Sequence, residues 1–145
     1  MFNNNFKGNL DFEGVKQHIL AGNSVLTFKN IKTNIHFTFK VKKCKGKNIW
    51  FVFYLGGPDN ENDFRYLGSI LKGKFRLTKN SRCTKESKAY KAFNWIFNTL
   101  KTKNGFPENI EIWHEGICGR CGRKLTVPES IEDGFGPVCK GKMVV

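Results

Sequence analysis

Residues 35–55 read Ile-His-Phe-Thr-Phe-Lys-Val-Lys-Lys-Cys-Lys-Gly-Lys-Asn-Ile-Trp-Phe-Val-Phe-Tyr-Leu, alternating apolar and polar and then turning wholly apolar. In the first half Ile35, Phe37, Phe39 and Val41 fall on one side and His36, Thr38, Lys40 and Lys42 on the other, the period of a half-buried strand. Ile49–Leu55 is apolar on both faces and rich in aromatic and β-branched residues, so it is expected to be the central strand of a sheet. Lys45-Gly46-Lys47-Asn48 between them has the chemistry of a hairpin turn.

The neighbouring segments extend this pattern. Upstream, Ser24–Phe28 alternates weakly as a further strand. Before it, Asp11 suits an N-cap, Glu13 the first turn, Val15, Ile19 and Leu20 an apolar stripe, and Gly22 the end of a short helix. Downstream, the turn-rich Gly56–Asp63 leads to two strands, Phe64–Leu71 and Phe75–Thr78, across a Lys72-Gly73-Lys74 turn. A helix is predicted from about Ser87 to Lys103, with Tyr90, Phe93, Phe97 and Leu100 on one face and Asn104-Gly105 and Pro107 stopping it. Ile110–Trp113 reads as a short strand entering a cysteine-rich end. The fold class is α+β: an antiparallel meander of four to five strands, two helices and a small C-terminal zinc-knuckle module. Residues 1–108 form a basic α+β domain, and 109–145 a zinc-ribbon-like module packed on it.

Composition sets limits on function. In 145 residues, 39% hydrophobic and 14% aromatic side chains suffice for a core, which excludes a disordered tail. No apolar run approaches the roughly 18–20 residues of a membrane span, and Met1–Asn5 lacks a signal-peptide pattern, so a soluble cytoplasmic protein with no membrane partner is expected. Five cysteines, three of them in the last 28 residues, fit a reducing compartment and a metal site better than disulfides. The net charge is +13, with 20 Lys but only five Arg. Lys, Asn and Phe share AT-rich codons, so part of this basicity reflects base composition. Its distribution does not: residues 29–103 hold 18 Lys and Arg against four Asp and Glu, while 1–28 balance and 104–145 are slightly acidic. A middle segment this basic attracts polyanions.

The most specific feature is His114-Glu-Gly-Ile-Cys118-Gly-Arg-Cys121-Gly-Arg, followed by Gly134-Phe-Gly-Pro-Val-Cys139. Cys118 and Cys121 have the spacing of a knuckle in which two thiolates hold one ion, and Cys139 is the third ligand. A closed structural zinc site needs a fourth; the candidates are His114, Cys83, Cys44 or a water. Leu125, Val127 and Ile131 are placed to pack a small core around the metal. Glu115, Glu129, Glu132 and Asp133 make this end mildly acidic despite Arg120 and Arg123, which suits a staple or a protein-contact surface better than a reader of nucleic acid. It also lacks the two ligands on a helix that major-groove fingers use.

The stretch from His114 to Cys139 resembles a family of small, mostly phage-borne and bacterial proteins of unassigned function that end in this zinc-ribbon-like motif. Leu55-Gly-Gly-Pro-Asp-Asn-Glu-Asn-Asp-Phe-Arg-Tyr-Leu-Gly and Ala92-Phe-Asn-Trp extend the likeness upstream, with Gly57 a departure from it. The resemblance implies that His114, Cys118, Cys121 and Cys139 hold a structural Zn2+, and that the chain is phage-encoded.

Nucleic acid is the expected partner of the basic segment. Lys40, Lys42, Lys43, Lys45 and Lys47 surround one hairpin, and Lys72, Lys74, Arg76 and Lys79 the other. If both lie at one end or face, they form a groove for a phosphate backbone. Trp50, Tyr54, Tyr66 and Phe75 are candidate stacking platforms for unpaired bases. Lysines on a strand edge also serve simply to block aggregation. No phosphate loop, nucleophile elbow or H-E-x-x-H is present, and His114-Glu115 stands in the wrong order for a zinc deaminase, so neither catalysis nor a small-molecule substrate is expected. His18 and His36 read as plain surface or capping histidines. The leading expectation is a non-enzymatic, zinc-stabilised protein that binds DNA or RNA electrostatically. The alternative is a phage-encoded inhibitor, anti-CRISPR-like, that occupies a host protein or nucleoprotein complex.

Overall fold

The computed structural model describes residues 8–57, 62–122 and 134–135. Among them are strand β1 (Gly8–Asn9), helix α1 (Phe12–Ile19), strands β2 (Asn23–Asn30), β3 (His36–Lys43), β4 (Ile49–Leu55), β5 (Phe64–Leu71) and β6 (Lys74–Arg76), helix α2 (Lys88–Thr102) and strand β7 (Ile110–His114). Both helices start where a side chain satisfies an orphan amide: the Asp11 carboxylate accepts from Gly14 N–H at 2.7 Å, and the Ser87 hydroxyl from Tyr90 N–H at 3.2 Å.

The strands form one antiparallel sheet in the order β1-β7-β2-β3-β4-β5-β6. The expected meander is β2 to β6, five strands joined in sequence. Among the described residues the sheet has seven strands rather than four to five, because α2 carries the chain back across it. β7 then pairs with β2 at the opposite edge (Leu26 opposite His114, Phe28 opposite Ile112), and β1 closes on β7. The boundary drawn at residues 108/109 thus falls just before a strand of the main sheet. The turn from β5 to β6 has Lys72 and Gly73 both at positive φ (53° and 72°), the backbone a two-residue hairpin demands.

Side chains opposite one another in an antiparallel pair share a face, so the register sorts the sheet into two sides. On one side Leu26, Phe28, Phe39, Val41, Val52, Ile70 and Ile112 join Val15 and Ile19 of α1 and Phe93, Ile96, Phe97 and Leu100 of α2 in a single buried core. Phe93 centres it, edge-on to Phe39 at 5.1 Å and to Phe75 at 4.7 Å. β4 is paired on both edges, yet only Val52 in it is fully buried. It is an interior strand, as its composition suggested, but its two apolar faces differ in burial because both described helices lie on the same side of the sheet.

A bulge sits between Val52 and Phe53: Val52 opposes Gly68 and Phe53 opposes Tyr66. Leu67 is the extra residue, and it is wholly buried. A Cβ added to Gly68 would lie 2.4 Å from the Arg76 carbonyl oxygen. Gly68→Ala is therefore expected to pry β6 from β5 and cost about 1–3 kcal/mol, the usual price of overpacking. Denaturant unfolding measures this, and an unchanged midpoint would show that β6 shifts freely.

Candidate nucleic-acid interface and metal centre

Among the described residues, no helix lies on the sheet's second side. Across β3, β4, β5 and β6 the register sets Lys40 opposite Phe53 and Phe53 opposite Tyr66, then Lys42 opposite Phe51, Phe51 opposite Ser69, and Ser69 opposite Arg76. Phe51, Phe53, Phe64 and Tyr66 are half-buried, whereas Lys42 and Arg76 are exposed. Tyr66 meets Phe53 and Phe51 edge-on at 5.7 and 6.1 Å. These rings line an open hollow of about 690 Å³, which Arg65, Arg82, Asn62, Asn80 and Asp63 complete. Lys40 Nζ lies over the Phe53 and Phe64 rings at 5.8 and 5.4 Å, and Lys29 Nζ over Trp113 at 5.9 Å. Burial against the rings, with Lys42 as a like charge nearby, lowers the Lys40 pKa. Its ammonium has lost part of its water, a loss that an anion would relieve.

The remaining basic residues take up two positions. Ile49 pairs with Leu71, so the β3–β4 turn with Lys45 and Lys47 and the β5–β6 turn with Lys72 lie at the same end of the sheet, with Lys74 at the start of β6. Lys101 from α2 reaches that end too, donating to the Gly73 carbonyl at 2.7 Å. Lys43 departs from the group. It opposes Trp50, with Nζ 5.5 Å from that ring, on the side of the sheet that bears the helices. Lys79 is exposed just beyond β6.

Among the aromatics named as stacking platforms, only Tyr66 is on the open side. Trp50, Tyr54 and Phe75 pack against the core instead, and the Trp50 indole donates to the Leu20 carbonyl at 3.1 Å. Sequence reasoning missed Phe51, Phe53 and Phe64. The signal lay in the hairpin register, which pairs Phe51 and Phe53 with the lysines of the polar side of β3.

At the other edge of the sheet, β7 runs into the knuckle. Cys118 is fully buried, and its Sγ accepts from Cys121 N–H at 3.5 Å, the bond that supports a thiolate ligand. Backbone bonds tie this loop down: Asn23 N–H donates to the Gly119 carbonyl at 2.7 Å, and Gly119 N–H to the Gly134 carbonyl at 2.9 Å. Beside it, the Glu115 carboxylate accepts from the Thr27 hydroxyl, which is 2.7 Å from that of Thr38. His114 is buried, and its Nδ1 accepts from Gly116 N–H at 3.0 Å.

The structure corrects the reading of His18. It is wholly buried, not a surface residue, because position 18 follows Val15 by three and so lies on the packed face of α1. Its ring stacks on that of His114 at 5.9 Å and contacts Phe135 at 5.2 Å. Burial pushes its pKa down to about 3, with the neighbouring His114 adding to the effect. The Gly134 backbone, as a hydrogen-bonding neighbour, favours the charged form more weakly. His36, by contrast, is exposed, as expected.

A buried thiol sulfur that receives an amide N–H, with a second thiol three residues on, is a donor set that fits a soft or borderline metal such as zinc. Among the described residues no three His, Cys, Asp or Glu side chains form a metal-binding group. Cys139, Leu125, Val127 and Ile131 lie outside the described residues. Of the alternative fourth ligands, Cys83 packs against the core, and Cys44 lies in the β3–β4 turn, its N–H donating to the Ile49 carbonyl. Among the described residues no helix is long and apolar enough to cross a membrane. No curated protein and no solved structure matches the chain. Residues 114–144 match the model of a family of unknown function (DUF6011), so the likeness found covers the cysteine-rich end.

Proposed function

We propose that the protein binds single-stranded nucleic acid on the open side of its sheet, without catalysis, and that a structural zinc ion holds its C-terminal end. One observation carries the reading: half-exposed Phe51, Phe53 and Tyr66 stand among Lys40, Lys42 and Arg76 on a sheet face that neither described helix covers. Rings of this kind stack on unpaired bases whatever their sequence, while cations around them follow the phosphates. Lysine, a compact charge without arginine's bidentate fork, gives affinity with little base discrimination. The basic turns at one end of the sheet extend the path for a backbone beyond the hollow.

Fluorescence anisotropy with labelled single- and double-stranded DNA and RNA, over a salt series, tests this. Single strands are expected to bind more tightly than duplexes. If three to five phosphates are contacted, log affinity should fall against log salt with a slope of about −2 to −3.5. No binding at low salt would overturn the reading, and capture of one stoichiometric host protein instead would favour the inhibitor alternative.

A further inference from the structure

We infer that the protein docks an acidic segment of another protein, anchored by one bulky apolar side chain, in a groove between α2 and the β2–β3 turn. The groove lies on the helix-covered side of the sheet, away from the aromatic hollow, and is independent of the nucleic-acid reading. Among the described residues four large apolar side chains are exposed, and two of them, Ile35 at 54% and Trp95 at 43%, line this groove. A third, Ile31 at 52%, follows Asn30 of its wall. Single exposed apolar residues are ordinary, but a cluster marks an interaction surface. Phe28, Phe37, Ile96 and Ile110 complete the apolar lining, with Phe28 opposite Phe37 in the β2–β3 pair. The turn that presents Ile35 is fixed: Asn30 N–H donates to the Ile35 carbonyl at 2.9 Å, Asn34 N–H to the Asn30 carbonyl at 2.8 Å, and Lys32 N–H to Asn30 Oδ1 at 3.0 Å. On the other wall the Trp95 ring packs against Phe106 at 6.0 Å. Walls set in advance leave little to be ordered on binding.

Size, chemistry and charge select the occupant. The groove's volume of about 250 Å³ falls short of the roughly 300–1,000 Å³ of small-molecule sites and suits a single anchoring side chain. A nucleobase there would bury its hydrogen-bonding edge against apolar walls. A bilayer surface does not follow a concavity between a helix and a sheet. Cations stand around the rim: Lys32 is exposed in the turn, and Lys88 and Lys91 are exposed one helical turn before the lining residues Ala92 and Trp95. Glu108, beside Lys32 and Ile31, is a lone acid against them among the described residues of that rim. In a twofold dimer the patch would meet itself, setting these lysines against their own copies in a chain of net charge +13. Carboxylates flanking an aromatic or leucine side chain match both the rim and the groove.

The probe is a displayed library of short random peptides, selected on the full-length protein. Enriched peptides are expected to share one aromatic or leucine residue among Asp and Glu. For a synthetic copy of an enriched peptide, Ile35→Asp should lower affinity at least about 30-fold, the loss typical of an anchor pocket. Ile35 is exposed, so this variant should melt like the parent. Lys32→Glu with Lys91→Glu should weaken the same peptide at least about 5-fold, by an amount that shrinks as salt is added. Phe53→Ala with Tyr66→Ala, on the opposite side of the sheet, should leave it unchanged. No enrichment, enriched peptides without acidic residues, or peptides that bind Ile35→Asp as they bind the parent overturn the inference. Self-association in sedimentation, binding to phosphatidylcholine–phosphatidylglycerol vesicles, or nucleic-acid binding that Ile35→Asp abolishes also overturns it, because each gives the groove a different occupant.

Discussion

On the proposed zinc reading, Cys118→Ser should no longer take up the metal and should show the largest fall in melting temperature of any single substitution considered. Structural zinc contributes on the order of 10–16 kcal/mol to the fold it organises, more than a single cap, ring or hydrogen bond. Cys118 is wholly buried and already receives the Cys121 amide, so a serine oxygen there offers a shorter, harder donor in the same place. The damage should be local. The core of β3, β4, β5 and α2, centred on Phe39 and Phe93, does not depend on the knuckle. Hydrogen exchange should therefore show residues 110–122 losing protection while α2 keeps its own. Stripping the parent protein with a chelator should reproduce the same pattern. A variant free of zinc that melts and exchanges like the parent would remove the staple from the account.

Phe53→Ala combined with Tyr66→Ala should weaken single-strand binding by at least about 30-fold. Stacking is worth about 1–3 kcal/mol per base, and these two rings are neighbours at 5.7 Å on the open side. The salt slope should not change, because no cation is removed. Lys40→Ala with Lys42→Ala should do the reverse, reducing the slope by about 1.4 and weakening all strands alike. Trp50→Phe is the control: its ring belongs to the helix-covered side, so affinity should remain that of the parent. Loss of binding in the control alone, with the double ring variant unaffected, would place the nucleic acid elsewhere.

Local chemistry made much of this architecture legible. Helix α2 begins and ends within one residue of the limits set by Ser87 and Lys103, because a cap and a stop are properties of a few adjacent residues. The hairpins followed from Lys45-Gly46-Lys47-Asn48 and Lys72-Gly73-Lys74 for the same reason. Long-range choices were not legible. Ile110–Trp113 reads as a strand, but nothing within it says that it pairs with β2 rather than extending beyond β6. Ile49–Leu55 is apolar at every position, so its parity could not tell Phe51 and Phe53 from Trp50 and Tyr54. Only pairing with the lysines of β3 separates them, and a bulge then resets the parity on β5. The cysteine spacing was plain in the chain. That His18 faces Gly119 and Gly134 depends on helix α1 being folded against the far end of the sequence.

The strand order also bears on how the protein is made. A ribosome delivers β2, the meander and α2 well before β7, the strand that must slot between β1 and β2. Until residue 114 clears the exit tunnel, the amides and carbonyls along Leu26–Asn30 have no partner on that flank. An open edge beside Leu26 and Phe28 is a template for the same segment of another nascent chain. Translation that stalls after α2 would thus yield a product with a nearly complete core and an adhesive border, and the last of the described strands to be synthesised is the one that closes it.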